Sequence, residues 1–302
     1  MKKWFNYFVY VSIIFLIIAL IRGNYLKVPI VYNYYYLVFS IIFVCLGFLF
    51  DAFSWYKTLV HSGYKEVKYD KAVISMGLSI FGKYIPGKVW LIIGRSAYIA
   101  RRYDLLERDT SAISLNGQFI STWIGLMIGI IGLFFIGSKF YLLEILFLLW
   151  IFLSALIFSK FFHRIFEKLF EKIFKKTFKI PQLNFRSVIK VAPWFLLSWL
   201  LWCCGFYFLS NSLSQEPVCL ITGFSFALAA TLGLIALIPG GLGIREGILV
   251  TLLIMSGFSE NSSVTISVAS RLWFLFGETF IFILAFFLEK RKNIFERINI
   301  LF

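Results

Sequence analysis

Ala236-Leu-Ile-Pro-Gly-Gly-Leu-Gly-Ile-Arg-Glu-Gly-Ile248 is the stretch whose reading decides the fold. It ends an apolar run from Val218 to Ile238 in which Thr222, Ser225 and Thr231 are the only hydroxyls. A helix breaker, Pro239, is followed by Gly240, Gly241 and Gly243, then by the adjacent charges Arg245 and Glu246, then by more apolar residues up to Met255. In a water-soluble chain this would be an ordinary turn. In a chain this apolar it reads as a broken helix at bilayer depth, where backbone freed from helical bonding survives only when buried in protein or lining a wet cavity. A charge at the centre of an inserting helix costs about 2.5–3.5 kcal/mol, so buried ones are functional candidates by default.

The composition supports that setting. Of 302 residues, 60% are hydrophobic, 20% aromatic and 15% charged, and mean hydropathy is +0.86. Several runs approach the roughly 20 apolar residues that cross a bilayer. The fold class expected is therefore all-α, a polytopic membrane helix bundle forming a single domain over 1–302. Full spans are read at 4–21, 34–56, 112–136, 140–159, 190–210 and 264–288. The first follows Lys2 and Lys3 like a signal sequence but has no small-residue cleavage site, so it reads as a retained span.

Two further apolar stretches, 72–100 and 218–257, are each interrupted by Pro-Gly. In the first, the arms 72–84 and 88–100 each reach about 20 Å at 1.5 Å per residue, short of the roughly 30 Å hydrocarbon core. A re-entrant hairpin fits better than two spans. In the second, 218–238 is just long enough to span, whereas 244–257 is not. The tips Ile85-Pro86-Gly87 and Ile238-Pro239-Gly240 are 153 residues apart, about half the chain. Lys and Arg concentrate in 57–71, 95–108, 160–190 and 290–297, which by the positive-inside rule places both termini in the cytoplasm. Each half then reads span, span, hairpin, span, with opposite starting sides. That is an inverted repeat of about 1–137 and 138–302, with broken helices meeting near the midplane.

The net charge of +15 is not read as nucleic-acid binding, because the basic residues flank spans. Residues 160–180 (KFFHRIFEKLFEKIFKKTFKI) carry apolar side chains at i, i+3/i+4 spacing among seven Lys/Arg and two Glu, an interfacial helix for an anionic lipid surface. Cys45, Cys203, Cys204 and Cys219 lie in apolar runs without metal spacing and read as buried hydrophobes. His61 and His163 belong to no metal or triad spacing, and no phosphate-binding loop appears, so neither a metal nor a cofactor is expected and no catalytic residue is assigned.

The candidate substrate-binding residues fall in three clusters. Around the first tip, Lys83, Tyr84, Pro86, Gly87, Lys88, Trp90 and Arg95 combine cations, amphipathic rings and the start of a new helix, a combination suited to a phosphate. Around the second, Pro239, Gly240, Gly241 and Gly243 allow close backbone approach, and Glu246 sits in the first turn of a helix whose dipole favours it. Arg245 and Glu246, about 100° apart on that helix, should seek different partners. On the last span, Arg271 and Glu278 are seven residues apart and share a face. Arg245, Glu246, Arg271 and Glu278 either neutralise one another or handle substrate; Asp51 and Glu144 are weaker candidates.

At its two tips the sequence resembles the flippase-like membrane region of lysylphosphatidylglycerol synthases and related stand-alone proteins. The resemblance rests on Gly82-Lys83-Tyr84-Ile85-Pro86-Gly87-Lys88-Val89-Trp90 with Arg95, and on Ile238-Pro239-Gly240-Gly241-Leu242-Gly243-Ile244-Arg245-Glu246-Gly247. It implies a bundle with re-entrant helices in a bacterial or archaeal cytoplasmic membrane. Such a bundle would move phospholipids or lipid-linked glycans between leaflets, with envelope glycosyltransferases as possible partners. The synthases' soluble transferase region has no counterpart in the sequence, so lysine transfer is not expected. Lys88 replaces a residue that is small in many relatives, and Asn116 and Gln118 are neutral where many carry a charge. Other readings are a membrane-embedded transferase, which would lack the Asp-rich metal motif, and a scaffold for glycosyltransferases.

Overall fold

The structure is a computed structural model that describes residues 29–85, 89–137, 140–159, 185–215, 218–236, 241 and 243–298. The expected first span at 4–21 and the amphipathic segment 160–180 lie outside the described residues. Among the described residues every regular element is helical. In chain order these are α1 (Tyr34–His61), α2 (Tyr69–Ser79), a 3-10 turn η1 (Ile80–Tyr84), α3 (Trp90–Arg102), α4 (Glu107–Ile136), α5 (Phe140–Phe158), α6 (Phe185–Leu213), α7 (Thr222–Ile235), α8 (Ile244–Met255) and α9 (Glu260–Ile298).

Five of these, α1, α4, α5, α6 and the 260–291 part of α9, are long and apolar enough to cross a membrane. The protein is an all-α, multi-pass membrane bundle. Most of the five run several residues beyond the apolar runs, because a helix continues into polar sequence until a cap stops it. Asn33 caps α1 by accepting hydrogen bonds from the Tyr35 and Tyr36 amides, and Gly137, at φ 79°, ends α4.

The two interrupted stretches form helical pairs, α2–η1–α3 and α7–α8. With 14 residues, α7 is about 21 Å long, below the thickness of the hydrocarbon core. The sequence left open whether 218–238 spans; its helix stops at Ile235 and is too short. The helices of both pairs are thus each shorter than the hydrocarbon core is thick.

Packing partners are unchanged when the halves of the chain are exchanged. The longest seam joins α1 to α6; α2 packs on α9 as α7 packs on α4; and α3 lies on α4 as α8 lies on α9. Each short pair is therefore held between the last span of its own half and that of the other half. Indole hydrogen bonds tie these helices together, from Trp273 Nε1 to the Ser40 carbonyl (3.0 Å) and from Trp199 Nε1 to the Ser121 carbonyl (2.8 Å). Phe48, Trp55, Phe195, Phe206 and Phe226 fill the centre. The outer faces of α1, α5 and α9 expose Phe39, Phe147, Phe287 and similar residues, as lipid contact requires.

The two hairpin seams depend on small residues, since close backbone approach drives helix association where no hydrophobic effect operates. A Cβ on Gly77 of α2 would lie 2.4 Å from the Ile281 carbonyl oxygen of α9, and one on Gly129 of α4 would lie 2.7 Å from Leu228 Cβ of α7. In the Gly77→Ala variant the gain in helix propensity, about 1 kcal/mol, opposes an overpacking cost of about 1–3 kcal/mol, and backbone is the obstacle. We expect Gly77→Ala to lower the thermal unfolding midpoint of the detergent-purified protein. Gly247→Ala, whose Cβ meets nothing within 4 Å, should leave it unchanged or raise it.

Candidate functional site

The ends of both hairpins converge on one ring, Phe274 of α9. The Lys83 ammonium of η1 stands 5.0 Å from its centroid, and the Arg245 guanidinium of α8 stands 5.2 Å from it. Arg245 also lies 4.8 Å from the Phe226 ring of α7, and Lys83 is 5.4 Å from Tyr84. Cations over aromatic faces are stabilised by about 2 kcal/mol or more when desolvated, so the rings partly replace the water these groups have lost.

The carboxylates then divide the cations unequally. Glu278, 1% exposed, pairs through Oε1 with Lys83 and accepts a 2.9 Å hydrogen bond from the Tyr84 hydroxyl through Oε2. Glu246 forms an ion pair with Arg271, with Oε1 3.0 Å from Nη2, and accepts a 2.8 Å hydrogen bond from the Gly243 amide through Oε2. It thereby closes the first turn of α8 as well as pairing with the last span. Gly243 sits at φ 81° and Gly241 at φ 66°, conformations that L side chains rarely adopt. At Gly241 a Cβ would also lie 2.9 Å from the Gly233 carbonyl oxygen. Gly241 thus lies directly against the last turns of α7, and Gly243 opens α8.

Arg245 is left over. It is 6% exposed, and neither its Nε nor its Nη2 has a hydrogen-bond acceptor. These two nitrogens form one edge of the guanidinium, the edge that grips two oxygens of an anion side by side. A buried, unpaired donor pair costs free energy. A pair kept in this position is a site candidate.

Arg95 has a different fate. Its Nε and Nη2 both donate at 2.6 Å, to the Ser114 hydroxyl and carbonyl, and its guanidinium lies 4.7 Å from the Trp55 ring. The same two nitrogens that are unmet on Arg245 are met on Arg95, so Arg95 holds α3 to α4 and α1. Asp51 of α1 interacts electrostatically with both Arg95 and Lys83, linking the two groups. Trp90 begins α3 and is half-buried. Pro86, Gly87, Lys88, Pro239 and Gly240 lie outside the described residues.

The sequence brought Lys83, Tyr84, Arg245, Glu246, Arg271 and Glu278 forward, and the fold gathers them around α9. Sequence reasoning missed Phe226 and Phe274, because an aromatic residue among 37 phenylalanines carries no mark of its own. It also missed Ser114, which settles Arg95.

The model of the family described as "Lysylphosphatidylglycerol synthase TM region" matches residues 7–286. The chain belongs to this family. Its members are membrane-embedded and connected with lipid synthesis or movement, and both hairpins and the Phe274 cluster lie inside the matched region. A comparison with curated proteins found no match.

Removing one partner of a buried ion pair costs about 3–5 kcal/mol, because it strands the other charge, whereas replacing both is often neutral. Glu278→Leu should therefore markedly lower the thermal midpoint, and Lys83→Met/Glu278→Leu should recover much of the loss. Simple additivity of the two single variants would show that the pair is not coupled.

Proposed function

We propose that this protein moves lipids with a phosphate-bearing headgroup between the leaflets of a bacterial or archaeal cytoplasmic membrane, with both termini in the cytoplasm. The observation that carries this reading is Arg245, a buried guanidinium with a free two-nitrogen edge where the two short hairpins converge. A lipid headgroup must give up water to cross the hydrocarbon layer, and a preformed charged donor pair at that depth offsets part of the loss. Hairpins entering from opposite faces open one route from each side, while the acyl tails stay in the bilayer. Lys83, Tyr84, Glu278, Glu246 and Arg271 form the rest of the headgroup site, and Trp90 begins the helix that follows it. Membership of the lysylphosphatidylglycerol synthase membrane family agrees with a lipid cargo. The basic segment 160–180 would hold the bundle to an anionic leaflet, where envelope glycosyltransferases could use the delivered lipid.

In proteoliposomes with a fluorescent anionic phospholipid, the wild-type protein should make the inner-leaflet probe accessible to an external quencher. Arg245→Ala should reduce that rate by about tenfold or more, the worth of a charged hydrogen-bond pair of about 1.5–3 kcal/mol, in a protein that still unfolds cooperatively. Equal rates for Arg245→Ala and wild type would overturn the proposal.

A further inference from the structure

The charges around Phe274 do not cancel, and the remainder has a definite size. Lys83, Arg245 and Arg271 supply three positive charges, and Glu246 and Glu278 supply two negative ones. Arg245 interacts electrostatically with each of the other four, Lys83 pairs with Glu278, and Arg271 pairs with Glu246. The neighbouring Asp51 and Arg95 add one of each sign. Among the described residues the cluster is therefore left with a single positive charge, and Arg245 carries it, since Lys83 and Arg271 each have a carboxylate of their own. In an apolar, largely water-free setting an occupant that leaves net charge behind is penalised steeply, because little solvent remains to screen it.

From this we infer that Glu246 and Glu278 are specificity-determining residues that set the charge of the accepted headgroup at minus one. The favoured occupant is a phosphodiester, which presents two unesterified oxygens and one negative charge to the Nε and Nη2 edge of Arg245. Phosphomonoesters and pyrophosphates, with about two or more charges, are disfavoured by the two carboxylates. The selection is for phosphodiester chemistry, whether the lipid is built on diacylglycerol or on a polyprenol. The inference rests on the translocation reading above and narrows its cargo.

The test compares full-length wild type, Glu278→Gln and Glu246→Gln in proteoliposomes, with fluorescent probes alike in tails. The probes are phosphatidylglycerol as phosphodiester, phosphatidic acid as phosphomonoester, and a polyprenyl pyrophosphate. Wild type should move the phosphodiester faster than either doubly charged probe by about tenfold or more, the effect of one poorly compensated buried charge. Each Gln variant adds one positive charge while keeping an acceptor oxygen, and should shift the ratio toward the doubly charged probes by about tenfold. Two variants are used so that the charge change is read from whichever keeps the wild-type thermal midpoint. Equal rates for all probes with wild type, or an unchanged ratio in a folded Gln variant, would overturn the charge filter and leave translocation standing. Movement of no probe above empty liposomes would instead overturn the translocation reading. Dimethyl phosphate, a soluble phosphodiester, separates the sources of the anion. Inhibition of probe movement by millimolar dimethyl phosphate but not by sorbitol supports the site. Thermal stabilisation by dimethyl phosphate in a protein that moves no lipid would overturn a lipid as its source.

Discussion

Hydrocarbon offers a polar group no partner, and the rest of the structure follows from that constraint. Each backbone amide or carbonyl released from a helix, and each charge below the headgroups, must be satisfied by protein. The two interrupted helices satisfy it by stopping short and by packing their described arms against full-length spans. The exchange of packing partners between the halves gives each hairpin a span from either half to lean on. The Glu246 carboxylate, bound to the Gly243 amide and Arg271, is the same rule at atomic scale. One side chain caps the new helix, neutralises a cation on the last span and fixes the angle at which Arg245 enters the bundle.

Arg245 is the exception, and its comparison with Arg95 gives the exception meaning. Both guanidiniums are buried, and both face aromatic rings. Arg95 has Ser114 in reach of two nitrogens, and for it burial is complete. Arg245 instead lies over the faces of Phe226 and Phe274, which accommodate a cation without using its N–H groups, and among the described residues its Nε and Nη2 meet no acceptor. The ring faces hold the charge in place and leave its donor edge for something else.

Much of this was legible in the chain. The apolar runs marked the five spans seen among the described residues, because length and hydropathy together leave few alternatives. The Pro-Gly breaks at Pro86 and Pro239 marked both hairpins, since a helix cannot continue through them unaided. Arg245 and Glu246 were expected to turn to different partners from their angular separation alone, and they do. What could not be read was pairing across distance. Lys83 meets Glu278 nearly two hundred residues away. Arg95 looked like an anion ligand until α4 placed Ser114 beside it. Local sequence says which residues are charged at depth; only the fold says which of them are already spoken for.

The position of Phe274 then connects architecture to chemistry. It lies on α9 between Arg271 and Glu278, the two residues that tie the last span to the second and the first hairpin respectively. Cations from both hairpins stand over this one ring, about 5 Å from its centre. A shift of either hairpin relative to α9 must break an ion pair, a cation–ring contact, or both, and in hydrocarbon neither is replaced by water. Such a shift is therefore costly unless an anion arrives to compensate the freed cation. On the proposed function, the contacts that join both hairpins to α9 would make any opening depend on the charge of what enters.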